Sequence, residues 1–68
     1  MARIRASSEL TVVGSSSEDY EGATAAAVRD AARTIRGIRA AEIVSLSAVV
    51  DDDDVVEYRA TVLLSLAR

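Results

Sequence analysis

Hydrophobic and polar positions change period along the chain. Between Ala6 and Val13, Leu10 and Val12 alternate with Glu9, Thr11 and Val13, the two-residue repeat of a short strand. Gly14-Ser15-Ser16-Ser17 follows as a cluster of turn formers and is predicted to end that strand. The repeat then lengthens. Tyr20, Ala23, Ala27, Ala31, Ile35 and Ile38 recur at steps of three and four, which predicts a helix from about Tyr20 to Arg36. Asp19 suits its N-cap, and Glu18 and Glu21 place negative charge at the positive end of the dipole. Arg33, Arg36 and Arg39 crowd the opposite end, with Gly37 as the residue after the C-cap. The inner stripe is mostly alanine, so whatever packs on it must approach closely.

Ala41–Val50 and Val55–Ala67 are two strand patterns rich in Val, Ile and Leu, joined by Asp51-Asp52-Asp53-Asp54, a tight exposed turn. A symmetric loop sets Val50 opposite Val55, Val49 opposite Val56, Ser47 opposite Tyr58 and Ile43 opposite Val62. One face then carries Ile43, Ser45, Ser47, Val49, Val56, Tyr58, Ala60 and Val62, small enough in the middle for an alanine helix. The other carries Ala40, Glu42, Val44, Leu46, Ala48 and Val50 beside Val55, Glu57, Arg59, Thr61 and Leu63. The order β-α-β-β predicts an α+β fold in which a three-stranded antiparallel sheet, last strand central, packs on one long helix. It forms a single domain over residues 1–68, with 1–5 a loose start. A sheet covered by one helix should be polar on its free side. Val44, Leu46, Val50, Val55 and Leu63 make that side apolar in this register, the mark of an interface.

Size points the same way. A folded chain of 68 residues buries roughly 6,000 Å². With about 60% of that area apolar, burial contributes about 95 kcal/mol at ~25 cal/mol/Å² against about 100 kcal/mol of conformational entropy. The chain has no Cys and no His, so neither a disulfide framework nor a zinc site can close the gap, and self-association is the remaining route. Without His, Cys or Lys there is no imidazole catalyst, nucleophile pair or Schiff base, which argues against an enzyme. A net charge of −3 excludes the basic footprint of nucleic-acid binding. No apolar run approaches a membrane span, and the basic Met1-to-Arg5 start lacks an apolar signal region, so the expected location is cytoplasmic.

Certain residues invite chemistry. The acidic turn offers carboxylate oxygens to a hard cation such as calcium, with Asp51 and Asp53 as candidate ligands. It is not an EF-hand, because Val56 and Val62 occupy the glycine and bidentate-glutamate positions. The alternative is a solvated turn kept polar for solubility. Arg59, on the second sheet face, needs a partner for its guanidinium: an ion pair with Glu57 or Glu42 across a subunit boundary, or an anionic ligand held by its fork. Tyr58 faces the helix as core. Glu9, Glu42 and Glu57 offer a paired-carboxylate site of the kind glycosidases use, against which stands the lack of substrate-binding aromatics.

The Gly14-Ser15-Ser16 turn, the helix start Asp19-Tyr20-Glu21, the helix body ending Ala31-Ala32-Arg33-Thr34-Ile35, the run Ala41-Glu42-Ile43-Val44 and the Tyr58-containing last strand together resemble the dodecins. The likeness spans nearly the whole chain and rests on order and spacing, not on one motif. It implies a βαββ fold, assembly into a hollow homododecamer, and binding of a flavin (FMN or riboflavin). Two departures fall at the flavin-contacting positions: Ala40 stands where the family carries its stacking tryptophan, and Arg59 where it carries a glutamine. The pattern is closer to a dodecin subgroup described as calcium-binding, which also places a small aliphatic residue at the tryptophan position and Tyr-Arg in the last strand. The expected function is a homo-oligomeric binding or storage protein for a small molecule or cation, with an altered or lost flavin site. Calcium binding and a structural cage without ligand are the alternatives.

Overall fold

The computed structural model describes residues 8–67, so the start at residues 1–5 lies outside them. The elements run β1 (Ser8–Ser16), α1 (Tyr20–Ala32), β2 (Ile38–Asp51) and β3 (Asp54–Leu66). The sheet order is β1-β3-β2, antiparallel throughout, with the last strand central as the sequence predicts.

The helix starts where its capping signals place it. Asp19 has extended backbone, and its Oδ1 accepts the Gly22 N–H at 2.7 Å, filling one of the orphan donors of the first turn. Ser16 Oγ accepts the Glu18 N–H at 2.9 Å and so shapes the entry. The end comes sooner than the periodicity suggests. The α-helix stops at Ala32, with Arg33 as C-cap, and Ile35 N–H closes a last turn on the Ala31 carbonyl at 2.9 Å. Gly37, at φ 81°, is left to turn the chain into β2, where its carbonyl accepts the Ala67 N–H at 2.7 Å. Positive φ is what glycine permits.

Gly14 is not a turn residue. It sits within β1, opposite Ala60 of β3, directly beneath α1. A Cβ there would meet the Ala23 carbonyl oxygen and stand 2.5 Å from Ala27 N. The turn cluster of the sequence is instead the end of a strand that the helix crosses at close range. Ala23, Ala27 and Ala31 of α1 are buried against Ala60, Val62 and Leu64 of β3. At the far end of this seam the Tyr20 and Tyr58 rings meet edge to face, 4.9 Å apart and inclined 80°, a favoured geometry for an aromatic pair.

The β2–β3 hairpin closes through Asp52 and Asp53, at φ 56° and 67°, the double left-handed conformation of a type I′ turn. Val50 lies opposite Val55 and Ile43 opposite Val62, as a symmetric loop requires. Between these pairs the register departs from that expectation. Two irregularities, between Ile43 and Ser45 on β2 and between Val49 and Val50, shift the pairing by one residue. Ser47 therefore faces Arg59, not Tyr58, and Val49 faces Glu57, not Val56. A one-residue slip exchanges the faces of a strand. Leu46 and Ala48, opposite Ala60 and Tyr58, move to the helix side, and Ser45, Ser47 and Val49 move to the open side.

The open face is consequently more polar than the symmetric register implies. Opposed pairs place Ser15, Arg59 and Ser47 in one row across the three strands, and Val13, Thr61 and Ser45 in the next. The apolar excess lies elsewhere. The helix covers β1 and β3 and barely reaches β2. Ile43 and Leu46 remain 49% and 48% exposed on the helix side. Together with Tyr20, Thr24 and Val28 they line an apolar groove of about 390 Å³.

Candidate functional site

The regular pairing of β3 with β1 keeps Arg59, Thr61, Leu63 and Ser65 on one face. Ala40 pairs with Ser65 and so shares that face with Arg59. Ser65 nevertheless stands six steps along β3 from Arg59, about 20 Å at 3.3 Å per residue. The two positions therefore do not form one site within a single chain.

Arg59 is not left as a free cation. Its Nε donates to Glu57 Oε2 at 2.9 Å, from side chains 50% and 35% exposed. That hydrogen bond, reinforced by the charge of Glu57, raises the guanidinium above its ordinary value. Glu57 is one of the two carboxylates expected to pair with Arg59, but the contact runs along one strand of one chain, where residues two apart point the same way, and not across a subunit boundary. Its neighbours Ser15 and Ser47 add hydroxyls on either side. The result is a polar, hydrogen-bonding floor with one paired cation.

No ring stands on this face. The chain has two tyrosines and no Trp or Phe, and both tyrosines are engaged with each other on the helix side. A planar ligand over Ala40 would meet a methyl group and backbone. Stacking on an aromatic is worth about 1–3 kcal/mol per ring, and nothing here supplies it. The residues present do not fit a stacked isoalloxazine.

Nor do they gather for a metal. Asp51 pairs with Asp54 across the last rung, and Asp52 and Asp53 form the two-residue turn. Among the described residues no group of three or more His, Cys, Asp or Glu side chains is placed to hold an ion. Calcium prefers six to eight oxygens, so Asp51 and Asp53 of one chain fall short. The carboxylates of Glu9, Glu42 and Glu57 also stay apart: Glu9 lies opposite Ser65, Glu42 opposite Leu63, and Glu57 far along the hairpin opposite Val49.

The groove between α1 and β2 was not evident from the sequence. Its signal is the adjacent apolar pair Ile43-Val44, where a strict two-residue alternation loses phase, so that Ile43 and Leu46, three residues apart, share a face.

The sequence profile of the dodecin family matches residues 9–67. The chain belongs to the dodecin family. The fold agrees closely with solved dodecins. One arginine-to-alanine variant of Thermus thermophilus dodecin superposes with a TM-score of 0.85 at 26% identity, over 91% of each chain. A tryptophan-to-phenylalanine variant of the same protein gives 0.83 at 25% identity, over 88% of this chain and 90% of that one. The tt0972 protein of the same organism gives 0.83 at 25% identity, over 88% of both. No curated protein matches the chain. Membership places this dodecin among small oligomeric proteins of flavin-binding type. Among the described residues no helix is long and apolar enough to cross a membrane.

Proposed function

We propose that this dodecin is a non-enzymatic homo-oligomeric binding or storage protein, assembled as a dodecamer, whose flavin site is altered. The observation that carries the reading is the open sheet face. It holds Ala40 and Arg59 at the two positions the family resemblance assigns to flavin contact, and it presents no aromatic ring. Because the two positions lie about 20 Å apart on one chain, the site belongs to the assembly, formed where Ala40 of one copy approaches the face of another. Its chemistry is a paired guanidinium flanked by serine hydroxyls, suited to a polar small molecule and poor at gripping a planar ring.

Two measurements test this. Light scattering should give a mass near twelve times the 7.2 kDa of the chain; a mass near 7.2 kDa would remove the assembly and the site together. Riboflavin titrated with the assembled protein should lose little fluorescence at micromolar concentration. Strong quenching would show that the flavin site is intact despite Ala40.

A further inference from the structure

We infer that the acidic tip of the β2–β3 hairpin of one copy lies in the α1–β2 groove of a second copy, with its aspartates against that copy's arginine cluster. The inference rests on the homo-oligomer proposed above and names the surfaces that meet. β1 stops pairing at Ser16 opposite Tyr58, so β3 before Tyr58 and the facing end of β2 project beyond the third strand. A bare two-stranded hairpin is marginal in water. Here it also exposes Val50 at 61%, Val55 at 45% and Val56 at 48%, an apolar neck directly behind the charged turn.

The receiving surface has the opposite arrangement. The groove presents half-exposed Ile43 and Leu46 beside Tyr20 and Val28. Beyond it, toward the end of α1 and the start of β2, lie Arg33, Arg36 and Arg39, all exposed. Arg33 reaches Asp30 only at 3.9 Å on an open surface, where an ion pair contributes little. Among the described residues Arg36 and Arg39 make no ion pair.

Charge and length agree. The tip carries four of the chain's negative charges, so with a net −3 overall the remainder is +1. In the tip, valine and aspartate are two or three residues apart, about 7–10 Å. In the groove, Ile43 lies about 13 Å from Arg39 along β2, and Val28 about 7 Å from Arg33 along α1. The reach of arginine and aspartate side chains closes the difference. A hairpin laid open face down along the groove would bury Val50 and Val55, which pair on that face, on Ile43 and Leu46 as the aspartates meet the arginines. Such a contact joins two different surfaces, and it closes into a ring when the rotation between copies permits.

A charge-reversal series followed by light scattering tests this, with circular dichroism as the control for folding. Asp52→Lys with Asp53→Lys should reduce the assembled mass to roughly half or less, because like charges now face each other. Adding Arg36→Asp and Arg39→Asp to the same chain should restore it. A second variant, Asp52→Asn with Asp53→Gly, places the most favoured type I′ residues in the turn. It removes charge without harming the hairpin, and should make assembly weaker at equal protein concentration. Unchanged mass in both tip variants, with the wild type assembled, would overturn the docking alone. Failure of the compensating pair to restore mass would do the same. A monomeric wild type would overturn the oligomer reading itself.

Discussion

Gly14 of β1 lies so close beneath Ala27 of α1 that a Cβ on the glycine would stand 2.8 Å from the Ala27 Cβ. The alanine stripe and the glycine are therefore two halves of one contact: small residues on the helix are useful only because the strand beneath also withholds a side chain. Gly14→Ala forces either the helix or the strand to move, since the obstructing atoms include Ala23 and Ala27 backbone. Overpacking of this kind costs about 1–3 kcal/mol, a large part of a small domain's stability. Urea unfolding should show a lower midpoint at an unchanged slope, and an unchanged midpoint would mean the helix rides further from the sheet than described.

The order of elements, the helix N-terminus, the acidic turn and the central position of β3 were legible in the sequence because each depends on local rules: a cap, a period, a two-residue loop. The register of β2 was not. Ile43-Val44 and Val49-Val50 are apolar pairs that either face of a strand accommodates, so propensity does not say where the extra residue sits. Only packing of β2 against β3 decides it, and the decision exchanges Leu46 with Ser47. The same holds for Gly14, a turn former by composition and a contact residue by tertiary demand. Of the candidate positions, the shared face of Ala40 and Arg59 follows from strand alternation and was legible; their distance of about 20 Å along it depends on which rungs of β3 they occupy.

Leu46 and Ser47 give a direct test of the shifted register. Leu46 packs toward Tyr20 and Val28 at the groove, whereas Ser47 lies on the open face opposite Arg59. Leu46→Ala should cost about 1–2 kcal/mol, a fraction of a full core truncation because the side chain is half exposed. Ser47→Ala should stay within about 0.5 kcal/mol, as surface changes usually do. The reverse ranking in thermal unfolding would restore the symmetric hairpin.

Restoring a ring at Ala40 separates a weakened flavin site from an absent one. Ala40→Trp places an indole on the exposed open face, and stacking worth about 1–3 kcal/mol per base-sized ring corresponds to roughly a 5- to 150-fold gain in riboflavin affinity. Arg59→Gln, added to it, releases the Glu57 pair and supplies an amide that can both donate and accept. Fluorescence titration should show tighter binding in the single variant and tighter still in the double. Affinity that stays at the wild-type level in both would place the ligand site away from this face.

The acidic turn, finally, should be indifferent to calcium. A ligand that binds only the folded protein raises its stability by RT ln(1 + [L]/Kd), about 2.7 kcal/mol at a hundredfold excess over Kd. In a domain this small each kcal/mol moves Tm by roughly 4–8 °C, so even a modest site would shift melting by about 10 °C in millimolar calcium. Asp51 to Asp54 occupy a hairpin turn without a third group of ligands among the described residues, which leaves calcium to screen their mutual repulsion and little more. The expected change in Tm between calcium and chelator is therefore below about 2 °C at fixed ionic strength. A shift several times larger, abolished by Asp51→Asn with Asp53→Asn, would mean that turns from different copies converge on a shared ion, which is the arrangement that docking each tip beside arginines argues against.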